Sequence, residues 1–127
     1  MKAIIACGAA ALLAACASYD GRGLEPGKSV ARDVETLMGP PAEKLALAGG
    51  ESVWFYPRNP FGRHTFAVRL APDGTVRAVE QRLSEEYIAT LIPGVSTVKT
   101  VRELLGPPWK VRRFEHQERD SWEWYVR

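Results

Sequence analysis

Acid–base or nucleophilic chemistry in this chain would have to pass through His64 and His116, its two histidines. His64 follows Arg63 at the start of a predicted strand. His116 stands beside Glu115, Gln117 and Glu118 in a predicted hairpin tip. A nucleophilic site needs a nucleophile, a base and an orienting group in contact. Asp120-Ser121 near His116 offers those residue types, but consecutive strand residues point to opposite faces, which keeps the two from converging. The motifs HExxH, CxxC and GxxxxGKS/T do not occur, so zinc-protease, thiol-redox and P-loop chemistry have no support. Two histidines without neighbouring carboxylate pairs make a weak metal site. The residues point to a non-enzyme with no metal, no other cofactor and no small-molecule substrate, and to solvated loop positions for both imidazoles.

The two thiols, Cys7 and Cys16, both precede residue 17, and the rest of the chain has none. Met1-Lys2 is followed by an apolar run over 3–15, shorter than the roughly 20 residues that span a bilayer. A basic start, a short apolar stretch and small residues at its end read as a secretory signal peptide. Its last positions and the next, Leu13-Ala14-Ala15-Cys16, resemble the lipobox of bacterial lipoproteins. That resemblance implies a signal peptide over 1–15 and lipidation of Cys16, with 16–23 as a lipidated linker. Plain secretion, with cleavage at the same small residues, is the alternative. Three acyl chains at about 0.8 kcal/mol per buried methylene would anchor the protein to the membrane for good. Ala17, where inner-membrane lipoproteins usually carry Asp, implies the outer membrane, facing the periplasm. Lys+Arg 17 against Asp+Glu 15 gives a net charge of +2, too balanced for a dedicated nucleic-acid binder. The mature part would contain no disulfide, so its stability must come from packing and hydrogen bonds.

The remaining residues contain an internal repeat. Leu24-Glu25-Pro26-Gly27-Lys28-Ser29 returns as Leu91-Ile92-Pro93-Gly94-Val95-Ser96, and Val34-Glu35-Thr36-Leu37-Met38-Gly39-Pro40-Pro41 returns as Val101-Arg102-Glu103-Leu104-Leu105-Gly106-Pro107-Pro108, both at an offset of 67. Trp54-Phe55-Tyr56 matches Trp122-Glu123-Trp124 at an offset of 68, so one residue is inserted between. Each copy opens with a predicted helix: Ser29 and Ser96 as N-caps, an apolar stripe (Val30, Val34, Leu37, Met38; Val98, Val101, Leu104, Leu105), and a closing Gly39 or Gly106 before proline. Such short helices are unstable alone and must lie on a sheet. Strands are predicted over 42–48, 52–56, 65–70 and 75–81, with Pro72-Asp73-Gly74 as a turn. A second hairpin is predicted from 109–114 and 121–126 around a polar tip at 116–120. An extra short helix is predicted over 84–91, capped by Ser84 and favoured by Glu85 and Glu86 at its positive end. The fold expected is α+β, short helices packed on one face of an antiparallel sheet, with the two repeats sharing one core.

These residues carry a family resemblance. Pro-Gly-x-Ser, then Val-x-x-Leu-(Leu/Met)-Gly-x-Pro, then an aromatic strand and a Gly-Thr-Val hairpin, is similar to the SmpA/OmlA (BamE-like) domain of outer-membrane lipoproteins. Gly27, Ser29, Val34, Leu37, Gly39 and Pro41 match the helix motif, Trp54 and Tyr56 the aromatic strand, and Asn59-Pro60-Phe61-Gly62 a family loop. The β-lactamase inhibitor proteins use the same unit in tandem. The resemblance implies a tandem domain over 24–127 (repeats 24–83 and 84–127) and a non-enzymatic role in outer-membrane β-barrel assembly or envelope integrity. Its partners would be the membrane, held through Cys16, and proteins of the assembly machinery. A periplasmic inhibitor or protein-binding module is the alternative.

Candidate docking residues follow from face alternation. Trp54 and Tyr56 should meet the helices, like Trp122 and Trp124, which sends Val53 and Phe55 to the opposite face. Phe55 and Phe61 then either form a partner-binding patch or are covered by the second repeat or the 59–62 loop. Trp109 starts a strand and is either an exposed interface residue or an edge-packed one. Lys110, Arg112 and Arg113 read as a solvated strand face, with anionic lipid headgroups as the sharper alternative.

Overall fold

The computed structural model describes residues 20–58 and 62–126. Cys7, Cys16, Ala17 and Phe61, and with them the lipobox and most of the 59–62 loop, lie outside the described residues. The architecture is α+β: three short helices, a four-strand antiparallel sheet and a two-strand hairpin. In chain order these are α1 (Ala31–Met38), β1 (Glu43–Ala46), β2 (Ser52–Pro57), β3 (Thr65–Leu70), β4 (Val76–Gln81), α2 (Glu85–Ile88), α3 (Val98–Leu105), β5 (Lys110–Phe114) and β6 (Arg119–Glu123). The first sheet runs β1-β2-β3-β4 and the second is β5-β6. No helix of the described residues is long and apolar enough to cross a membrane.

The sequence repeat is a repeat of geometry. Glu43, Lys44, Leu45 and Ala46 face Phe55, Trp54, Val53 and Ser52, while Lys110, Val111, Arg112 and Arg113 face Glu123, Trp122, Ser121 and Asp120 in the same register. The inserted residue falls in the turn between the paired strands, 48–50 in one copy and 115–118 in the other, where an extra residue disturbs no pairing. Each copy ends its helix on a glycine, Gly39 (φ 79°, ψ −168°) and Gly106 (φ 78°, ψ −164°). That region of backbone space is essentially closed to residues with a Cβ. The Tyr56 hydroxyl donates to the Gly39 carbonyl at 2.9 Å, and Trp124 Nε1 donates to the Gly106 carbonyl at 3.2 Å. One aromatic position thus ties the hairpin to the helix end in both copies. Burial, with the Glu35 carboxylate adding to it, pushes the Tyr56 phenol up to about 12, so it remains a donor at neutral pH.

Two expectations about the helices change. Ser29 and Ser96 are not N-caps: their Oγ atoms accept from the backbone N–H of Glu25 (2.8 Å) and Ile92 (2.9 Å), closing the Pro-Gly turn before each helix. The α1 entrance is held by Asp33, whose carboxylate accepts from Val30 N–H at 2.8 Å, and that of α3 by Thr97, which accepts from Thr100 N–H. Ser84 does occupy the N-cap position of α2, but its hydroxyl makes no capping bond.

The larger correction concerns the core. The repeats do not merge around one core under one layer of helices. Val34 and Met38 of α1 pack on Trp54, Tyr56, Val68, Leu70 and Val76, on one face of the four-strand sheet. Val53, Phe55 and Ala67 form a separate cluster on the other face, with Leu45 and Leu47 against it. Repeat two closes that second face: a Cβ on Gly106 would stand 2.7 Å from Phe55 Cδ1. Arg102 pairs with Glu43, and Arg82 reaches the last carbonyls of α3.

Substitution of the two helix-ending glycines separates backbone strain from close approach. Gly39→Ala meets nothing within 4 Å and is expected to destabilise by the backbone strain alone, about 1–3 kcal/mol. Gly106→Ala must also displace the buried Phe55 ring, so its loss in chemical denaturation is expected to exceed that of Gly39→Ala.

Candidate interaction surface

The structure separates the candidate docking residues. Phe55 is 0% exposed and has no surface to give a partner; of the two readings of its face, the covered one holds, because α3 and Gly106 lie over it. Trp109 is 42% exposed and packs beside Tyr125 with ring centroids 6.3 Å apart, while its backbone N–H pairs with the Glu123 carbonyl. It is an edge residue with one open side. Phe61 is outside the described residues.

The chemistry-bearing side chains stay dispersed. His64 stacks on Phe66 at 5.9 Å, and His116 lies in the exposed turn between β5 and β6. The Asp120 carboxylate accepts from Arg113 Nη1 at 3.0 Å on the face of β6 that carries Trp122, while Ser121 belongs to the opposite face. Among the described residues no group of three or more His, Cys, Asp or Glu could hold a metal ion. Lys110, Arg112 and Arg113 do not make one basic face either. Alternation divides Lys110 and Arg112 from Arg113, and Arg112 pairs with Glu123 at 3.0 Å.

The structure adds two features. The first is a polar knot on the second face of the four-strand sheet. Glu80 accepts from Arg69 Nε (2.7 Å), Arg82 Nε (3.0 Å) and the Tyr87 hydroxyl. Arg82, only 6% exposed, sends Nη1 to the Leu104 carbonyl at 2.9 Å and to Glu103 at 3.3 Å, where a cation suits the negative end of α3. Burial pushes the Glu80 carboxyl up, but the Tyr87 hydroxyl and the two guanidiniums outweigh it and hold the group below its ordinary value. The knot binds β3, β4 and α2 to the end of α3.

The second feature is an open groove of about 470 Å³ between α3 and the second hairpin, lined by Val98, Val101, Arg113, Asp120, Trp122 and Trp124. Trp122 and Trp124 stand 6.1 Å apart, and the Arg102 guanidinium lies 5.4 Å above the Trp122 ring. Val98 on its rim is 62% exposed. The groove could have been found by laying the repeats over one another: repeat one fills the corresponding space with its own strands β3 and β4. No signal in the sequence marks the knot, because its contacts to α3 span more than twenty residues. The second repeat therefore carries both an exposed apolar surface and a groove walled by two tryptophans. Comparison with family models, with curated proteins and with solved structures gives no match.

Because the Glu80 carboxyl is depressed in the folded state, the stability it contributes is present above its unfolded value, near 4.5, and is lost as the pH falls through the lower folded value. Thermal melts from pH 6 to pH 3 are expected to show an acid limb that is shallower in Glu80→Gln.

Proposed function

We propose that the chain is a non-enzymatic, lipid-anchored protein of the outer membrane, a scaffold in β-barrel protein assembly or envelope integrity with a tandem SmpA/OmlA-like fold. The observation that carries the scaffold reading is the duplicated helix–hairpin unit. Both copies share strand register, glycine-ended helix and the aromatic donor to that glycine's carbonyl. This duplication matches the tandem arrangement that the sequence resemblance implies. The anchor rests on Leu13-Ala14-Ala15-Cys16 at the end of an apolar run. Contact with other proteins is supported by the exposed apolar surface of 84–127, including Val95 at 69% and Val98 at 62%.

Labelling with radioactive palmitate is expected to mark the wild type and not Cys16→Ser, and fractionation is expected to place the label in the outer membrane. Deletion is expected to sensitise cells to detergent and vancomycin and to lower their barrel proteins. Equal labelling of both forms refutes the anchor. An intact envelope after deletion refutes the assembly role and favours the inhibitor-type module.

A further inference from the structure

Repeat two leaves bare what repeat one covers. In repeat one, β3 lies antiparallel to β2, with Val68 opposite Trp54 and Phe66 opposite Tyr56. Val76 of β4 then bonds to Ser29 and Gly27 in front of α1. Among the described residues β6 pairs with β5 alone, so the corresponding edge, at Asp120, Trp122 and Trp124, has no third strand. Exposure records the difference. Val34 is 0% exposed, whereas its counterpart Val101 is half-buried. All of the exposed large hydrophobics among the described residues except Val30 fall in 84–127. A two-strand hairpin is marginal by itself in water, and an open edge recruits another strand.

We propose that the occupant is β6 of a second copy of this chain, paired antiparallel across a twofold axis at Ser121. The strand Arg119-Asp120-Ser121-Trp122-Glu123 is self-complementary about that axis. Arg119 comes opposite Glu123 of the partner subunit, Asp120 opposite Trp122 of the partner subunit, and Ser121 opposite itself. Arg119 is exposed, and its side chain makes no ion pair among the described residues. Glu123 engages Arg112 through Oε1 and keeps its other oxygen for a second cation. Asp120 enters the interface with its charge met by Arg113. Moving the axis one residue, to Trp122, sets Arg119 opposite Tyr125 and loses both ion pairs, so charge selects the register. The product is a four-strand sheet, β5-β6-β6-β5, as wide as the sheet of repeat one, with a self-complementary twofold interface. A net charge of +2 offers little resistance to self-association. The inference does not depend on the lipid anchor or on the assembly role.

Cysteine crosslinking of the full chain in intact cells tests it. Directly opposed residues of an antiparallel pair have Cα atoms about 4.5–5.5 Å apart, inside the range a disulfide bridges. Ser121→Cys is expected to give an oxidised dimer on a non-reducing gel, above the wild-type background from Cys7 and Cys16. Arg112→Cys, one strand further from the axis in each copy, is expected to give none. Adding Arg119→Glu to Ser121→Cys sets like charges together at two places and is expected to lower the dimer yield about tenfold. Further addition of Glu123→Arg is expected to restore it. No Ser121→Cys dimer, or equal dimer from Arg112→Cys, overturns the proposal and leaves the edge to an extended segment of another protein. A dimer indifferent to Arg119→Glu also overturns it, because the ion pairs then do not set the register.

Discussion

Strand β2 is buried on both faces, and the rest of the fold follows from the need to cover it twice. Val53 and Phe55 are 0% exposed, and Trp54 and Tyr56 are 8% and 6%. Four such side chains in succession, at about 1.5–3 kcal/mol for each that is fully buried, make β2 the most continuously buried strand among the described residues. An alternating antiparallel strand normally has one wet face. Here α1 covers the tryptophan side and the end of α3 covers the phenylalanine side. The second copy of the repeat therefore serves the first as a lid. The glycine that ends α3 is needed twice, for its backbone conformation and because the Phe55 ring leaves no room for a Cβ.

Much of this was legible in the residues. The stripe containing Val34 and Met38, the Gly-Pro stops and the period-two pattern of 65–70 are local signals, and each produced its element. The two faces of β2 were readable too, since alternation assigns Trp54 and Tyr56 to one side and Val53 and Phe55 to the other. Alternation does not say what lies over a face. The placement of α3 on the Phe55 side is set by side chains far apart in sequence: Arg82 with the α3 carbonyls, Arg102 with Glu43. An arginine at the end of a strand has no local signature of burial, so the polar knot was invisible. The serines before α1 and α3 misled for a related reason. A hydroxyl two positions ahead of a helix can satisfy a turn as well as a cap, and here the Pro-Gly turn takes it.

Duplication left the two copies unequal. The hairpin of repeat one is extended by β3 and β4 into a sheet with a closed core, while that of repeat two stands with its edge and its tryptophan face half open. The two copies differ accordingly: one holds the closed core, and the other exposes apolar surface, held to the first by the knot and by Phe55. On the proposed reading, the linker at 16–23 would tether this surface close to the membrane.

Native-state hydrogen exchange tests the central claim, that repeat two is the cover of β2 and not an appendage. Amides of β2 and of the last turn of α3, from Arg102 to Gly106, should open with the same free energy and lose protection together as denaturant is raised. Exchange of that turn at much lower free energy, with the β2 amides still protected to the global limit, would contradict the account.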